Sequence, residues 1–410
     1  MRLRVASLLA RGRDVASTVA SLREQVNDVR PSALLWLTDR PAAAEPLAQA
    51  MATWSEASVG ALSQAGLIGG GLEHSGARDE VNAVALAISL PEGASCLPFS
   101  SEPDGLPEQL PWAEMAAAPP EQSPHLFLLA APPRGASFPL ERWLGMLDTA
   151  LPWSKKVGGL VGGGRGGGLF MGATPHRGGA VGLSLQGVDL EARSFQGAIP
   201  IGPSYEITAC EGNLIRELDH QPVGEVLGQT IEAFEATQRD EEGAGDGASL
   251  MCGISVPSRA ASAAAAGVGD PRQGLGHEFV VRALLGFSSE HSVIAVGASP
   301  DLLSALGARL QLHSFSQAAA RAEMQAGAAT LRASPGGFMV SCLGRGEALY
   351  DEAGVESAIL KAAPAAAEDD LALAGFFAGG EIGPVGARTF VHTFTTTVGL
   401  LRERKDSDRG

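Results

Sequence analysis

The residues best suited to chemistry gather near the C-terminus. Ser341-Cys342 and Gly344-Arg345-Gly346 follow one apolar run, Gly380-Glu381-Ile382-Gly383-Pro384 stands where a second meets a turn, and His392 lies on the last. A thiol, a guanidinium, a carboxylate and an imidazole at the ends of neighbouring strands can build a ligand pocket or a thiol-based catalytic group. They can equally be structural. A carboxylate at Glu381, ending a mostly apolar strand, needs a cation or a donor; Arg345 is the first partner expected, because its fork satisfies both oxygens, and His392 is the second. Nothing in the residue pattern lowers the pKa of Cys342, as thiolate catalysis would require.

A second group is the run GGGRGGG at 162–168, where Gly163 and Arg165, with Lys155 and Lys156 close by, are candidate contacts for an anionic ligand. Cradling a phosphate needs a helix N-terminus directly after the glycines, and no helix signature follows, so the bland reading is a flexible strand-to-strand loop. No GK[ST] occurs, which excludes a P-loop, and no GxSxG elbow occurs, which removes the usual α/β-hydrolase reading. No histidine pair brackets a glutamate at i, i+4, and Cys96, Cys210, Cys252 and Cys342 form no CxxC. Neither a metal nor another cofactor is expected, and the thiols read as free in a reducing compartment.

Hydrophobic periodicity supplies the elements that must hold these groups. Val15, Val19, Leu22, Val26 and Val29 have helical spacing and Pro31 stops them; Ser32 to Thr38 then reads as a buried strand, Ala42 to Trp54 as a helix and Asn82 to Leu90 as a strand. Residues 97–124 carry seven prolines and no sustained period, which predicts a dispensable, disordered surface insertion. His125 to Ala131, Lys156 to Val161, Gly179 to Gly187 and Asp189 to Gln196 read as strands, with a helix over Leu140 to Leu151. Farther on, Pro222 starts a helix, and strands are expected at Leu250 to Val256, Phe279 to Phe287, Ser292 to Ala298, Arg309 to Ser314, Gly337 to Cys342, Ala372 to Ala378 and Phe390 to Leu401. Helices are expected at Gln317 to Arg332 and Glu356 to Ala363. Residues 236–248 and 258–276 read as flexible loops. The pattern is α+β.

The chain has 410 residues, 45% of them hydrophobic, enough for two or three domains with a real core. Its net charge of −16 repels phosphate backbones and anionic lipid, so no nucleic-acid partner is expected. The longest apolar runs, such as Leu126 to Ala131, are far too short for a bilayer crossing, so no membrane insertion is expected. Arg2, Arg4, Arg11 and Arg13 resemble an organellar transit peptide in composition, yet the segment leads straight into a helix and a strand; a soluble cytoplasmic protein is the expectation, an organelle interior the alternative.

Two long segments carry a family resemblance. The stretch Gly179 to Leu227, which includes FQGAIPIGPSYEITACEGNLIRELDHQPVGEVL, and the C-terminal SCLGRG and FFAGGEIGPVGARTFVHTFTTTVGL resemble a FIST protein, whose name joins the F-box with intracellular signal transduction. GLIGGG at Gly66 to Gly71 and VGGLVGGG at Val157 to Gly164 are similar to its N-terminal half. The chain departs from the pattern at Gly60-Ala61-Leu62, at Ala198-Ile199 in place of Cys-Arg, and at His220 in place of a turn glycine.

The resemblance implies a FIST-N half over 1–203 and a FIST-C half over 204–402, each of mixed αβ structure with largely antiparallel sheets covered by helices, packed as one unit ahead of a charged tail at 403–410. It implies a non-enzymatic sensing or protein-binding module for a small polar molecule, an amino acid among the candidates, acting through a separate protein partner. Two alternatives stay open: a thiol- or carboxylate-dependent enzyme on a small polar substrate, and an interaction subunit of a larger complex such as a ubiquitin ligase. The candidate ligand contacts are Arg345, Glu381, His392, Cys342, Arg165 and Gly163.

Overall fold

The computed structural model describes residues 2–27, 30–63, 65–70, 72–74, 81–102, 105–131, 138–162, 168–238, 249–257, 277–364 and 371–404. Gly163, Arg165, nearly all of the loops at 236–248 and 258–276, and most of the charged tail lie outside the described residues. The chain forms two compact units, one of Met1–Phe195, Gln325–Pro384 and Thr389–Gly410, the other of Gln196–Met324 and Val385–Arg388. The sheets are mostly antiparallel with helices present, the expected α+β class. Among the described residues no helix is long and apolar enough to cross a membrane.

The first unit is a threefold internal repeat. Its opening repeat runs β1 (Arg4–Gly12), α1 (Val15–Glu24), β2 (Ala33–Thr38), α2 (Pro41–Trp54), β3 (Ala57–Leu62), a hairpin of β4 (Leu67–Gly69) and β5 (Leu72–His74), and β6 (Val81–Ser89). β6 lies antiparallel between β1 and β2, while β2 and β3 are parallel. Asp14 caps α1 through the Ser17 amide, and Pro41 opens α2, where its missing N–H costs nothing. β2 is apolar throughout because both its faces are covered: Leu35 and Leu37 point to the central core, Leu34 and Trp36 to the helices.

The second repeat has the same order: β7 (Ser95–Ser101), α3 (Trp112–Ala117), β8 (His125–Ala131), α4 (Leu140–Ala150), β9 (Lys156–Leu160), a hairpin of β10 (Leu169–Met171) and β11 (Thr174–His176), and β12 (Gly179–Gln186). Again the last strand lies antiparallel between the first two, and β8 and β9 are parallel.

The third repeat opens with β13 (Val188–Phe195) and is then interrupted by the second unit. That unit contains β14 (Ala198–Glu211), β15 (Leu214–Leu218), β16 (Gln221–Pro222), α5 (Val223–Gln238), β17 (Ser249–Pro257), β18 (His277–Ser288), β19 (Val293–Val296), α6 (Pro300–Leu303) and β20 (Arg309–Phe315). Strands pair in the closed ring β14-β20-β17-β18-β19-β15, with β15 returning to β14, so this unit is a six-stranded antiparallel barrel. Asp219 and His220 both sit at positive φ in the β15–β16 turn, so His220 takes a conformation that glycine adopts more readily.

α7 (Gln317–Ala328) leads back to the repeat, which continues as β21 (Gly336–Cys342), α8 (Glu347–Tyr350), α9 (Val355–Lys361), β22 (Ala372–Ala378), a hairpin of β23 (Glu381–Val385) and β24 (Arg388–His392), and β25 (Thr396–Glu403). β25 lies antiparallel between β13 and β21, and β21 and β22 are parallel. The hairpins are exchanged cyclically: β4 pairs with β22, β10 with β3, and β23 with β9. Each repeat thus completes another's six-stranded sheet, and the inner faces of all three share one apolar core.

Two expectations are corrected here. Residues 97–124 are not a dispensable insertion: β7 pairs along seven residues with β12, and Phe99, Leu110 and Met115 are buried beneath α4. Prolines hid the period because α3 is a single short turn element between them. Finally, Phe390 to Leu401 is broken into β24 and β25 by Phe394, whose φ of 57° ends the extended run. A Phe99→Ala change is expected to cost about 3–5 kcal/mol in a urea melt, and deletion of 99–123 to prevent cooperative folding.

Candidate functional site

β21 and β22 run parallel, so the turns that leave them, at Leu343 to Gly346 and at Gly379-Gly380, emerge at the same end of the sheet. Alternation along β21 sends Phe338, Val340 and Cys342 toward the central core, and Met339 and Ser341 toward α9. The strand end therefore carries two polar clusters, one on each face.

The outer cluster is built on Glu356, fully buried in the first turn of α9. Its Oε1 accepts from Arg345 Nε at 2.5 Å and from the Tyr350 hydroxyl at 3.1 Å, and its Oε2 from Ser341 Oγ at 2.7 Å and Thr396 Oγ1 at 2.6 Å. Arg345 spends its other nitrogens on the Phe394 carbonyl at 2.9 Å and on Tyr350 at 3.1 Å. Burial pushes the Tyr350 hydroxyl up, keeping it a donor. The expected Arg345–Glu381 pair is thus replaced by Arg345–Glu356. Sequence reasoning missed Glu356 and Tyr350, although a glutamate one turn ahead of the buried Leu360 marks a carboxylate on an apolar helix stripe.

The inner cluster holds Glu381 and Cys342, with His392 buried on β24, the other strand of the hairpin that Glu381 opens. Glu381 has no exposed surface; its Oε2 accepts from the Thr395 amide at 3.2 Å, and its Oε1 has no oxygen or nitrogen donor among the described residues. The Cys342 thiol lies within hydrogen-bonding reach of the carboxyl, and the amides of Gly344 and Phe394 point at the same sulfur. Burial pushes Glu381 up to about 8, against the Thr395 amide, the Cys342 thiol and the Arg345 charge, so it is mostly a neutral acid at pH 7. Burial first, then the Glu381 charge, raises the Cys342 thiol, which argues against a ready thiolate nucleophile. His392 Nε2 donates to the Gly383 carbonyl at 3.1 Å, which fixes its tautomer.

The internal repeat gives this cluster a built-in control. In each hairpin a glycine carbonyl, at Gly66, Gly168 or Gly380, accepts an amide from the neighbouring sheet, and the next residue turns into the core. That next residue is Leu67 in the first repeat, Leu169 in the second and Glu381 in the third, all buried. The fold accepts leucine at this position twice, so a carboxyl there is not a requirement of the architecture.

Phe394 is the second anomaly. A bulky residue in the left-handed region is strained, and such strain gathers at functional sites. Here the Arg345 bond to its carbonyl and the approach of its amide to Cys342 hold it in place. Phe394 is 40% exposed, and its ring stands over Gly344. Lys156, expected near an anion site, is instead buried on Asp148 at 2.8 Å, and Lys155 faces Asp189 at 3.6 Å.

Similarity to known proteins agrees with this architecture. The FIST N domain matches residues 31–221 and the FIST C domain residues 247–384, together more than half of the chain. The chain belongs to the FIST family. The uncharacterized protein Rv0628c of Mycobacterium tuberculosis (strain ATCC 25618 / H37Rv) is 32% identical over 276 residues, 65% of each chain. The uncharacterized protein Mb0898c of Mycobacterium bovis (strain ATCC BAA-935 / AF2122/97) is 31% identical over 273 residues, again 65% of each. The matched region thus spans 65% of the length of these relatives. The FIST C match ends at Pro384, so Glu381 falls inside it while Phe394 and Thr396 lie beyond.

Two measurements check the clusters. Glu356→Gln leaves Arg345 buried without its counter-charge and is expected to cost about 3–5 kcal/mol in a denaturant melt. Glu381 holds its proton more tightly in the folded chain than at the ordinary value of 4.5, so its contribution is intact below pH 4.5 and is lost as the pH rises through about 8. Wild type and Glu381→Gln should melt at similar temperatures at pH 5, and the variant should melt higher at pH 9.

Proposed function

We propose that this FIST protein is a non-enzymatic sensing module that binds a small polar molecule at Glu381 and Cys342 and signals through a separate protein. Its family is one of signal-transduction sensory domains. The observation that carries the reading is the buried Glu381 Oε1, which has no oxygen or nitrogen donor among the described residues, at a position that leucine fills in both other repeats. A buried carboxyl with one oxygen left incomplete costs stability, and a ligand group that supplies the partner recovers that cost on binding. Thr397 Oγ1, buried on the same face without a partner among the described residues, is a second group available to a ligand. Phe394, partly exposed and with its amide at the Cys342 sulfur, supplies apolar contact. An amino acid fits this mixture of polar and apolar surface. The raised thiol of Cys342 speaks against thiolate chemistry.

Glu381→Leu installs the solution that the other two repeats already use. At pH 7.5 the variant is expected to be at least as stable as wild type and to lose any melting-temperature rise produced by amino acids and small carboxylates in a thermal-shift screen. A loss of more than about 3 kcal/mol would make Glu381 structural. A ligand response that survives the change would move the site elsewhere.

A further inference from the structure

The two carboxyl clusters of the third repeat meet on one peptide group. The carbonyl of Phe394 accepts from Arg345 Nη1 at 2.9 Å on the outer side, and the N–H of the same peptide, on Thr395, donates to Glu381 Oε2 at 3.2 Å on the inner side. Arg345 in turn holds Glu356. We propose that the Phe394–Thr395 peptide couples the Glu381 site to the Arg345–Glu356 cluster, so that what Glu381 binds is read at α8 and α9 on the opposite face of the sheet. Such coupling supplies the output step of the proposed sensing site and rests on that assignment only for its purpose.

Neighbouring contacts tie the same short segment to both faces. The Phe394 amide points at the Cys342 sulfur, the Thr395 carbonyl accepts from the Cys342 amide at 3.0 Å, and Thr396 Oγ1 donates to Glu356 Oε2 at 2.6 Å. Phe394 stands at a φ of 57°, which a bulky side chain holds only under constraint from its surroundings. A peptide group polarised at its carbonyl is a better donor at its N–H, so a change at either end is felt at the other.

Neither of the other repeats has a polar side chain at the two ends of this link. Ser341, one residue beyond the level at which a hairpin joins the parallel pair, stands opposite Thr396. The same register places Ala83 opposite Thr38 in the first repeat and Ala180 opposite Ala130 in the second, both alanines buried. The architecture thus accepts alanine at the Thr396 position and leucine at the Glu381 position, each twice. The third repeat replaces both, and the replaced positions are the ones that the segment joins to carboxyl groups.

A proton serves as the probe. The Cys342 thiol from β21 and the Arg345 guanidinium from the turn after it face Glu381, and His392 on β24 is bonded to the Gly383 carbonyl. Burial raises Glu381 to about 8, while burial and the Glu381 charge raise the thiol above its ordinary value of 9.0, so Glu381 loses its proton first.

Phe394-Thr395 is the one Phe-Thr step in the sequence, so carbonyl-13C phenylalanine with 15N threonine gives a single peptide resonance in an HNCO spectrum of the full chain. In wild type this resonance is expected to move with pH through a midpoint near 8, and to stay fixed in Glu381→Gln. The deciding variant is Tyr350→Phe, which removes a neutral hydroxyl from Arg345 and Glu356 and changes no charge. With that donor gone Glu356 draws Arg345 away from the Phe394 carbonyl, and the midpoint is expected to rise by at least about 0.3 pH unit. A direct charge effect of Glu381 on Arg345 leaves the midpoint where it was. A midpoint unchanged or lowered by Tyr350→Phe, a wild-type resonance that ignores pH, or one that still follows pH in Glu381→Gln would overturn the proposal. Should Tyr350→Phe fail to fold, Thr396→Ala, which installs the residue of both other repeats and also removes a donor from Glu356, decides with the same expectation. A thermal-shift screen without a responder would sink the sensing assignment and leave the coupling standing, and a fixed midpoint would do the reverse.

Discussion

A parallel strand pair has an exposed outer edge, and the exchange of hairpins that covers this edge is the constraint on which the first unit rests. In each repeat the third strand would present a row of free N–H and C=O groups; β4, β10 and β23 each cover that row in a sheet other than their own. Exchange makes the three sheets mutually dependent, since removing one hairpin exposes the edge of another repeat. It also carries side chains across repeat boundaries. Glu73 reaches the third repeat this way, and Glu381 is laid against Gly159 of the second.

The same constraint explains why both polar clusters lie at one strand end. Hairpins enter where the parallel strands finish, and the strand-to-helix turn at Leu343 to Gly346 leaves from there too. Backbone groups not used by the ladder become available to side chains, as the Thr395 amide is for Glu381 and the Phe394 carbonyl for Arg345. The two faces differ in how completely their carboxyl groups are satisfied. On the outer face Glu356 has four donors and is complete; on the inner face Glu381 keeps an oxygen without one. A buried carboxyl group that is fully satisfied holds structure together, whereas one left incomplete costs stability.

Much of this was legible in the residues. The runs ALLWLT, HLFLLAA and ALAGFFA announce buried strands, because continuous apolar character means that both faces are covered. The FIST segments SCLGRG and FFAGGEIGPVGARTFVHTFTTTVGL contain Cys342, Arg345, Glu381 and His392, and the α+β class followed from a strand-rich pattern with a few covering helices. Phe99 was less legible, since a seven-residue strand between prolines carries too few periods to stand out.

What the sequence determined by itself is local: which segments are strands or helices, and which glycines and charges break them. Those properties depend on neighbours within a few residues. The threefold repeat was decided only by the tertiary structure, because three copies of an apolar strand pattern share a geometry without sharing residues. Partner choice was decided there too. Arg345 met Glu356 rather than Glu381 because alternation along β21 places Ser341, and with it Arg345's partner, on the face opposite Cys342; which face a turn residue reaches depends on strands and helices far away in the chain.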